Sequence, residues 1–305
     1  MTRHCFCPMT KISFIGAGNV GTTAALRVIE KQLGDVVLLD IDSEMALGKS
    51  LDLSDYQSSV NGKCKIIGTS DYSLIKDSDI IVVTAGRARK KEEKITREGL
   101  AQINTDIIKT VAENIKKYSP DSIVLTVTNP VDKMNKIIFD ILQTDRKKII
   151  GVGSLLDSFR LKTVISEELK TPSSAVLGMV IGPHNDDMIP LFSKTTVNGK
   201  KITELITADR LTELKKEIQL RGKKITSLMG SGYYAIGNTI SLMIETILQD
   251  KKEIIPASII LEGEYGITDI SVGVPIKLGR NGAEVVEMDF SEKEELVEIA
   301  GNMLN

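Results

Sequence analysis

The sequence predicts an α/β chain, a doubly wound parallel sheet in the first half followed by an α+β domain. Three observations carry this reading. Short β-branched runs alternate with longer helical patterns up to about residue 150. A turn rich in glycine, Gly16-Ala17-Gly18-Asn19-Val20-Gly21, stands between the first strand run and the first helical run. Beyond Ile150 the alternation gives way to longer helices mixed with hairpin signals.

Lys11 to Ile15 reads as the first strand and Asn19 to Lys31 as the helix after it. Val36 to Leu39 is the next strand and ends at Asp40. Further strands are predicted at Cys64 to Ile67, Ile80 to Thr84 and Ile123 to Val127. Their near-continuous Val and Ile content suits strands covered on both faces. A long helix from Glu98 to Tyr118 stops before Pro120, whose ring disrupts continuation. In the second half, helices are predicted over Leu155 to Glu168, Ala208 to Met229, Tyr233 to Leu248 and Glu292 to Leu304. Strands are predicted over Ala175 to Ile181, near Ser258 to Glu262 and near Val274 to Ile276. Asn198-Gly199 between Thr196 and Ile202 marks a hairpin. The expected division is a flexible tail (1–10), a nucleotide-binding domain (11–150) with a mobile loop at 87–99, and a second domain (151–305).

Composition excludes several classes of function. The net charge of -2 over 305 residues argues against a dedicated nucleic-acid or membrane-surface binder. No apolar run approaches the roughly 18 residues needed to span a bilayer. Three cysteines (Cys5, Cys7 and Cys64) make no disulfide framework and fit a reduced, cytoplasmic setting. His4, Cys5 and Cys7 lie close together, but a lone Cys-x-Cys lacks the other ligands of a closed metal site, so no metal is expected.

The glycine turn has the context of a Rossmann-type nucleotide site. Glycines there permit the tight turn, close approach to a pyrophosphate, and close helix–strand packing. The helix N-terminus offers free amide donors to phosphate. Asp40 ends the next strand, where it can accept from both ribose hydroxyls and repel the extra phosphate of NADP. Asp42 adds a second negative charge, so NAD is the expected cofactor.

The segment Arg87-Ala88-Arg89-Lys90-Lys91-Glu92-Glu93-Lys94-Ile95-Thr96-Arg97 leaves a strand at its C-terminal end, where open α/β sheets bind ligands. A basic loop there suits a lid over an anion, although most charge runs are simply solvated. Thr128-Asn129-Pro130 occupies the next strand's exit, and Asn129 can offer its amide to a hydroxyl. Asp157 and Arg160 lie three apart on a helix. They form either a carboxylate-binding face or an ordinary salt bridge. His184 lies in Gly182-Pro183-His184-Asn185-Asp186, and it is the only histidine outside the tail. It is therefore the ready candidate for a group titrating near neutrality.

Together these residues resemble the lactate/malate dehydrogenase superfamily, and within it the lactate-dehydrogenase-like malate enzymes. The resemblance runs from Lys11 onward. It rests on the glycine turn, Thr84-Ala85-Gly86, Thr128-Asn129-Pro130-Val131-Asp132, Leu156-Asp157-Ser158-Phe159-Arg160, Gly182 to Asp186, and Tyr233-Tyr234-Ala235-Ile236-Gly237. It implies that His184 exchanges a proton with the substrate hydroxyl and that Asp157 orients the imidazole. Arg160 would hold the carboxylate beside the reacting carbon, and Arg97 would polarise the carbonyl. Gly16, Ala17, Gly18, Asn19, Val20, Gly21, Asp40, Thr84, Ala85, Gly86, Asn104, Val127, Thr128 and Asn129 would bind NAD, with Asn129 also touching substrate. The implied substrates are malate and oxaloacetate, and the implied assembly is a homodimer or homotetramer. Arg89 would pair with the second carboxylate of oxaloacetate, where lactate enzymes carry Gln.

The sequence departs from that pattern in four places. The loop between the discriminating and carbonyl-polarising arginines is two residues longer than usual. Counting forward from Gly86 reaches Arg89, while counting back from Arg97 reaches Lys91, so Arg87 and Lys91 are alternative partners for the distal carboxylate. Ala88 replaces a proline, which loosens the hinge. Asn185 replaces a glycine, the least costly exchange if the position needs positive φ. Phe159 fills a position that is generally small. A lactate or broader 2-hydroxy-acid dehydrogenase is therefore the alternative function, and a non-catalytic NAD-binding protein the remote one.

Overall fold

The computed structural model describes residues 10–87 and 96–303, without the side chain of Arg97. The nucleotide half is built from β1 (Lys11–Ile15), α1 (Asn19–Glu30), β2 (Asp35–Leu39), α2 (Ser43–Ser59) and β3 (Ile66–Thr69). It continues with β4 (Ile80–Val83), α3 (Arg97–Tyr118), β5 (Ile123–Thr126), α4 (Val131–Leu142) and β6 (Ile149–Gly151). These strands are parallel in the order β6-β5-β4-β1-β2-β3. The order reverses direction between β1 and β4, which opens a crevice at the carboxyl ends of both.

Residue alternation explains the two-faced burial. On one face Ile12, Phe14, Val36, Leu38, Ile80, Val82, Ile123 and Leu125 join the core beneath α1. On the other, Ile15, Val37, Leu39, Ile81, Val83 and Val124 join a core with α3 and α4. Successive residues of a strand point to opposite faces, so a continuous Val/Ile run feeds two cores at once. Each such side chain contributes about 1.5–3 kcal/mol on burial.

The second half begins with α5 (Ser154–Leu169), then β7 (Val176–Leu177), β8 (Val180–Ile181), β9 (Ile189–Pro190), β10 (Thr196–Val197) and β11 (Lys200–Lys201). Two helices, α6 (Ala208–Met229) and α7 (Tyr234–Leu248), precede β12 (Glu253–Glu262), β13 (Thr268–Gly279), β14 (Gly282–Val285) and α8 (Lys293–Asn302). Strands β12, β13 and β14 do not form a sheet of their own. They add antiparallel to the edge of the first sheet, where Ser258 of β12 pairs with Gly151 of β6, giving nine strands in all. Helix α7 packs so closely on α1 that a Cβ on Gly237 would stand 2.6 Å from Thr23 Cγ2.

Several expected elements shift. The strand expected at Cys64 to Ile67 lies at Ile66–Thr69, two residues later. The single strand expected over Ala175 to Ile181 divides into β7 and β8, which belong to different sheets. The hairpin at Asn198-Gly199 forms with φ of 49° and 78°, the two positive values that a tight hairpin turn requires. Two helices unassigned in the sequence, α2 and α4, complete the crossovers. Among the described residues no helix is long and apolar enough to cross a membrane.

Candidate active site

The glycine turn follows β1 at the crevice. Gly16 takes φ of 109°, and a Cβ on Gly21 would stand 2.1 Å from the Gly16 carbonyl oxygen, so neither position accepts a side chain without movement. Asp40 Oδ2 accepts from the Ala17 amide at 2.7 Å, and Oδ1 accepts from the Asp42 amide at 3.1 Å. A carboxylate has about four acceptor sites, so the pair still leaves Asp40 capacity for ribose hydroxyls. The Ala17 carbonyl accepts from Thr22 Oγ1 at 3.0 Å and from Lys49 Nζ of α2 at 2.6 Å. A Cβ placed on Gly18 would meet no heavy atom within 4 Å, so the N-terminal end of α1 is open to a ligand. An open anion-seeking turn beside a carboxylate fits the pyrophosphate and ribose of NAD.

His184 is carried on the loop between β8 and β9. Gly182, at φ of 82°, exchanges two main-chain hydrogen bonds with Gly273 of β13, at 2.8 and 3.1 Å, which ties the loop's base to the sheet. The His184 amide donates to Asp132 Oδ2 at 2.9 Å, and Nδ1 meets Asp157 Oδ2 at 2.6 Å. Burial works against the charged imidazolium, but the charge and hydrogen bond of Asp157 outweigh it, so the His184 pKa is raised. Asp132 opposes Arg160 here, the first favouring and the second disfavouring the imidazolium. Burial also raises the Asp132 carboxyl, an effect that the hydrogen bond from the His184 amide partly offsets. Asn185 does not take positive φ, so the condition that would favour Asn in place of glycine does not arise there. The positive φ falls on Gly182, and Asn185 Oδ1 instead accepts from the Asp187 amide at 2.7 Å.

Asp157 is 1% exposed, and its second oxygen accepts from Arg160 at 2.7 Å. The pair left open in the sequence is thus a salt bridge, and Arg160 and His184 also line one cavity of about 440 Å³. Helix α6 closes that cavity. A Cβ on Gly222 would stand 2.9 Å from an Arg160 guanidinium nitrogen, and a Cβ on Gly153 would stand 2.6 Å from His184 Cγ. Both glycines are therefore part of the site's shape, and neither was singled out in the sequence. Lys223 of α6 pairs with Asp186, and Gln219 donates to the Met188 carbonyl at 3.0 Å, bracing the histidine loop.

The opposite wall comes from the exits of β4 and β5. Val20, Thr84, Gly86, Asn104, Val127, Thr128 and Asn129 all line the cavity. Thr84 Oγ1 donates to the Gly16 carbonyl at 2.8 Å, and Thr128 Oγ1 donates to the Ala85 carbonyl at 2.7 Å. Asn104 Oδ1 accepts from the Arg87 amide at 2.7 Å, while its Nδ2 donates to the Asn129 carbonyl at 2.8 Å. This side chain braces the two loops against each other. The Asn129–Pro130 bond is cis. Arg89, Lys91 and Ala88 lie outside the described residues, as do His4, Cys5 and Cys7. Arg97 begins α3, with its side chain outside the description.

A larger depression, of about 1460 Å³, opens at the other ends of the strands beside Asp79 and Asp121. It holds no histidine and none of the residues singled out above. Among the described residues no cluster of His, Cys, Asp and Glu is arranged to hold a metal ion.

Known proteins resemble this chain in sequence and fold. Residues 10–151 match the family profile described as lactate/malate dehydrogenase, NAD binding domain. Residues 154–305 match lactate/malate dehydrogenase, alpha/beta C-terminal domain. A malate dehydrogenase of Methanosarcina barkeri is 43% identical over 289 residues, 94% of each chain. The crystal structure of malate dehydrogenase from Plasmodium falciparum superimposes with a TM-score of 0.93 at 30% identity, covering 97% of this chain and 96% of that one. The lactate dehydrogenase of Cryptosporidium parvum, solved with lactic acid and its nicotinamide cofactor, superimposes with a TM-score of 0.92 at 32% identity, covering 97% and 96%. Fold similarity and sequence similarity thus agree along nearly the whole chain: it belongs to the lactate/malate dehydrogenase family, and its first half is an NAD-binding domain.

Proposed function

We propose that the chain is an NAD-dependent malate dehydrogenase, interconverting (S)-malate and oxaloacetate. The carrying observation is the Asp157-bound His184 beside Arg160 in a cavity that also reaches the nucleotide turn. The malate dehydrogenases among its relatives support the choice of substrate. Residues 11–150 would serve as the NAD-binding domain and 151–305 as the substrate-binding domain.

When bound, NAD supplies the carrier of the hydride. The turn at Gly16 to Gly21 would hold its pyrophosphate, and Asp40 would hold its ribose. His184 uses Nδ1 on Asp157, which leaves Nε2 to take the malate hydroxyl proton and to return it to oxaloacetate. Asp157 fixes the ring's orientation and favours the charged form that results. Arg160 keeps part of its guanidinium for the carboxylate next to the reacting carbon, and Arg97 would neutralise charge growing on the carbonyl oxygen. Asn129 would align substrate and cofactor. The chain would act as a homodimer or homotetramer, in the reduced cytoplasmic setting that its few cysteines suit.

Arg89 would select the substrate through the distal carboxylate. A charge-assisted pair contributes about 1.5–3 kcal/mol, or roughly ten- to hundredfold. Arg89→Gln should therefore lower kcat/KM for oxaloacetate by that factor while raising it for pyruvate. Steady-state rates with both acids test the assignment, since faster pyruvate reduction by the native protein overturns the malate reading. Asp40→Ser should weaken NADH relative to NADPH, measured as the ratio of their KM values; an unmoved ratio removes Asp40 from cofactor choice.

A further inference from the structure

Lys49 lies on α2, outside every motif that marks the site, yet its ammonium reaches the nucleotide turn. Its stem is half-buried, and Nζ donates to the Ala17 carbonyl at 2.6 Å. No carboxylate lies within ion-pair distance of Nζ among the described residues. The Ala17 carbonyl is thus the acceptor that the ammonium meets in the protein.

The bond has a geometric consequence. The Ala17–Gly18 peptide is trans, since the only cis bond is Asn129–Pro130 among the described residues. In a trans peptide the C=O and the following N–H point in opposite directions. Lys49 and Thr22 draw the Ala17 oxygen to one side, so the Gly18 amide is aimed to the other. Among the described residues no protein acceptor takes the Gly18 amide, and a Cβ on Gly18 would touch nothing within 4 Å, so the turn is open at this residue. The Ala17 amide is meanwhile committed to Asp40 Oδ2. Three side chains thus grip one residue of the turn, and the Gly18 amide is the next donor left for a ligand.

We infer that Lys49 is a positioning residue for the dinucleotide: it holds the Ala17 peptide so that the Gly18 amide faces the pyrophosphate, and it places a positive charge behind that amide. This rests on the NAD-binding reading of the turn, not on the choice of acid substrate. Thr22 makes a neutral bond to the same oxygen, whereas Lys49 makes the charge-assisted one, which is the stronger by roughly twofold. Because the pyrophosphate is common to NADH and NADPH, Lys49 should affect both cofactors equally, unlike Asp40.

Lys49→Met keeps the stem and removes the donor and the charge. The test is equilibrium binding by calorimetry or by the cofactor's own emission, because the chain has no tryptophan to report it. The expected result is a roughly tenfold weaker Kd for NADH, for NADPH and for ADP-ribose, the size of one charge-assisted hydrogen bond. Adenosine, which lacks the pyrophosphate, should bind unchanged, and kcat at saturating NADH should stay within about twofold. Lys49→Arg should recover most of the loss. An NADH Kd within about twofold of native overturns the inference. So does an equal loss for adenosine, which would mean general damage to the pocket. If native protein binds NADH but turns over neither oxaloacetate nor pyruvate, the enzymatic reading fails while the binding comparison still decides the role of Lys49.

Discussion

His184→Gln should lower kcat for oxaloacetate reduction by about 10²–10⁴, the usual contribution of a positioned general acid–base group. Gln offers a donor and an acceptor of similar reach but does not titrate, so the change removes proton transfer more than packing. NADH binding should stay within about twofold, because the turn at Gly16 to Gly21 is held by β1, Asp40 and Thr84 rather than by the histidine loop. Stopped-flow absorbance of NADH together with equilibrium binding checks both halves of the expectation. Native-like turnover would assign the proton to another group, and among the described residues there is no second histidine.

Asp157→Asn should be nearly as damaging, with a signature of its own. The native carboxylate meets His184 Nδ1 at 2.6 Å and raises the imidazole pKa above its ordinary 6.5 against the effect of burial. Oxaloacetate reduction needs the protonated ring. Its rate should therefore hold at acid pH and fall as pH rises through the raised pKa. Malate oxidation needs the neutral ring and should show the opposite slope. Asn cannot supply the charge, so burial and the Arg160 cation would then push the pKa down. The reduction limb should move to lower pH, with kcat at pH 8 falling about 10²–10⁴ and a smaller loss at pH 6. Arg160 also loses its partner, so KM for oxaloacetate should change too. Profiles of kcat/KM against pH in both directions measure this, and an unshifted reduction limb would sink the role given to Asp157. Stability follows the same sign. A raised histidine pKa adds stability that is complete below pH 6.5, the ordinary value, and is lost as pH rises through the folded-state value.

Much of the nucleotide half could be read directly from sequence because its strands are buried on both faces and its turn carries glycine at fixed offsets. Helix α2 could not, because it buries only Ala46, Ser50 and Leu53 and shows no apolar stripe. Strand β6 has three residues, too few for any period to register. Ala175 to Ile181 reads as one strand because its content is almost wholly apolar. Gly178 instead packs against Thr195 and Leu161, where the chain passes from one small sheet to the other. The site divides along similar lines. His184, Asp157 and Arg160 announce themselves by chemical type. Gly153, Gly222 and Asp132 act through neighbours that are 31, 62 and 52 positions away, and no local pattern encodes such a contact. Asn104 carried a family-implied cofactor role, whereas its bracing of the Arg87 and Asn129 backbones appears only once both loops are placed.

The pairing of Ser258 with Gly151 reaches beyond topology. The half that recognises the acid completes the edge of the half that carries the dinucleotide, and Gly237 on α7 is seated against Thr23 on α1. Neither half is a transplantable cassette. A chimera that exchanged one of them with a relative would inherit two mismatched seams, one in the main chain and one between helices. New acid specificities in this scaffold should accordingly be sought by recasting single loops, with the shared chassis left whole.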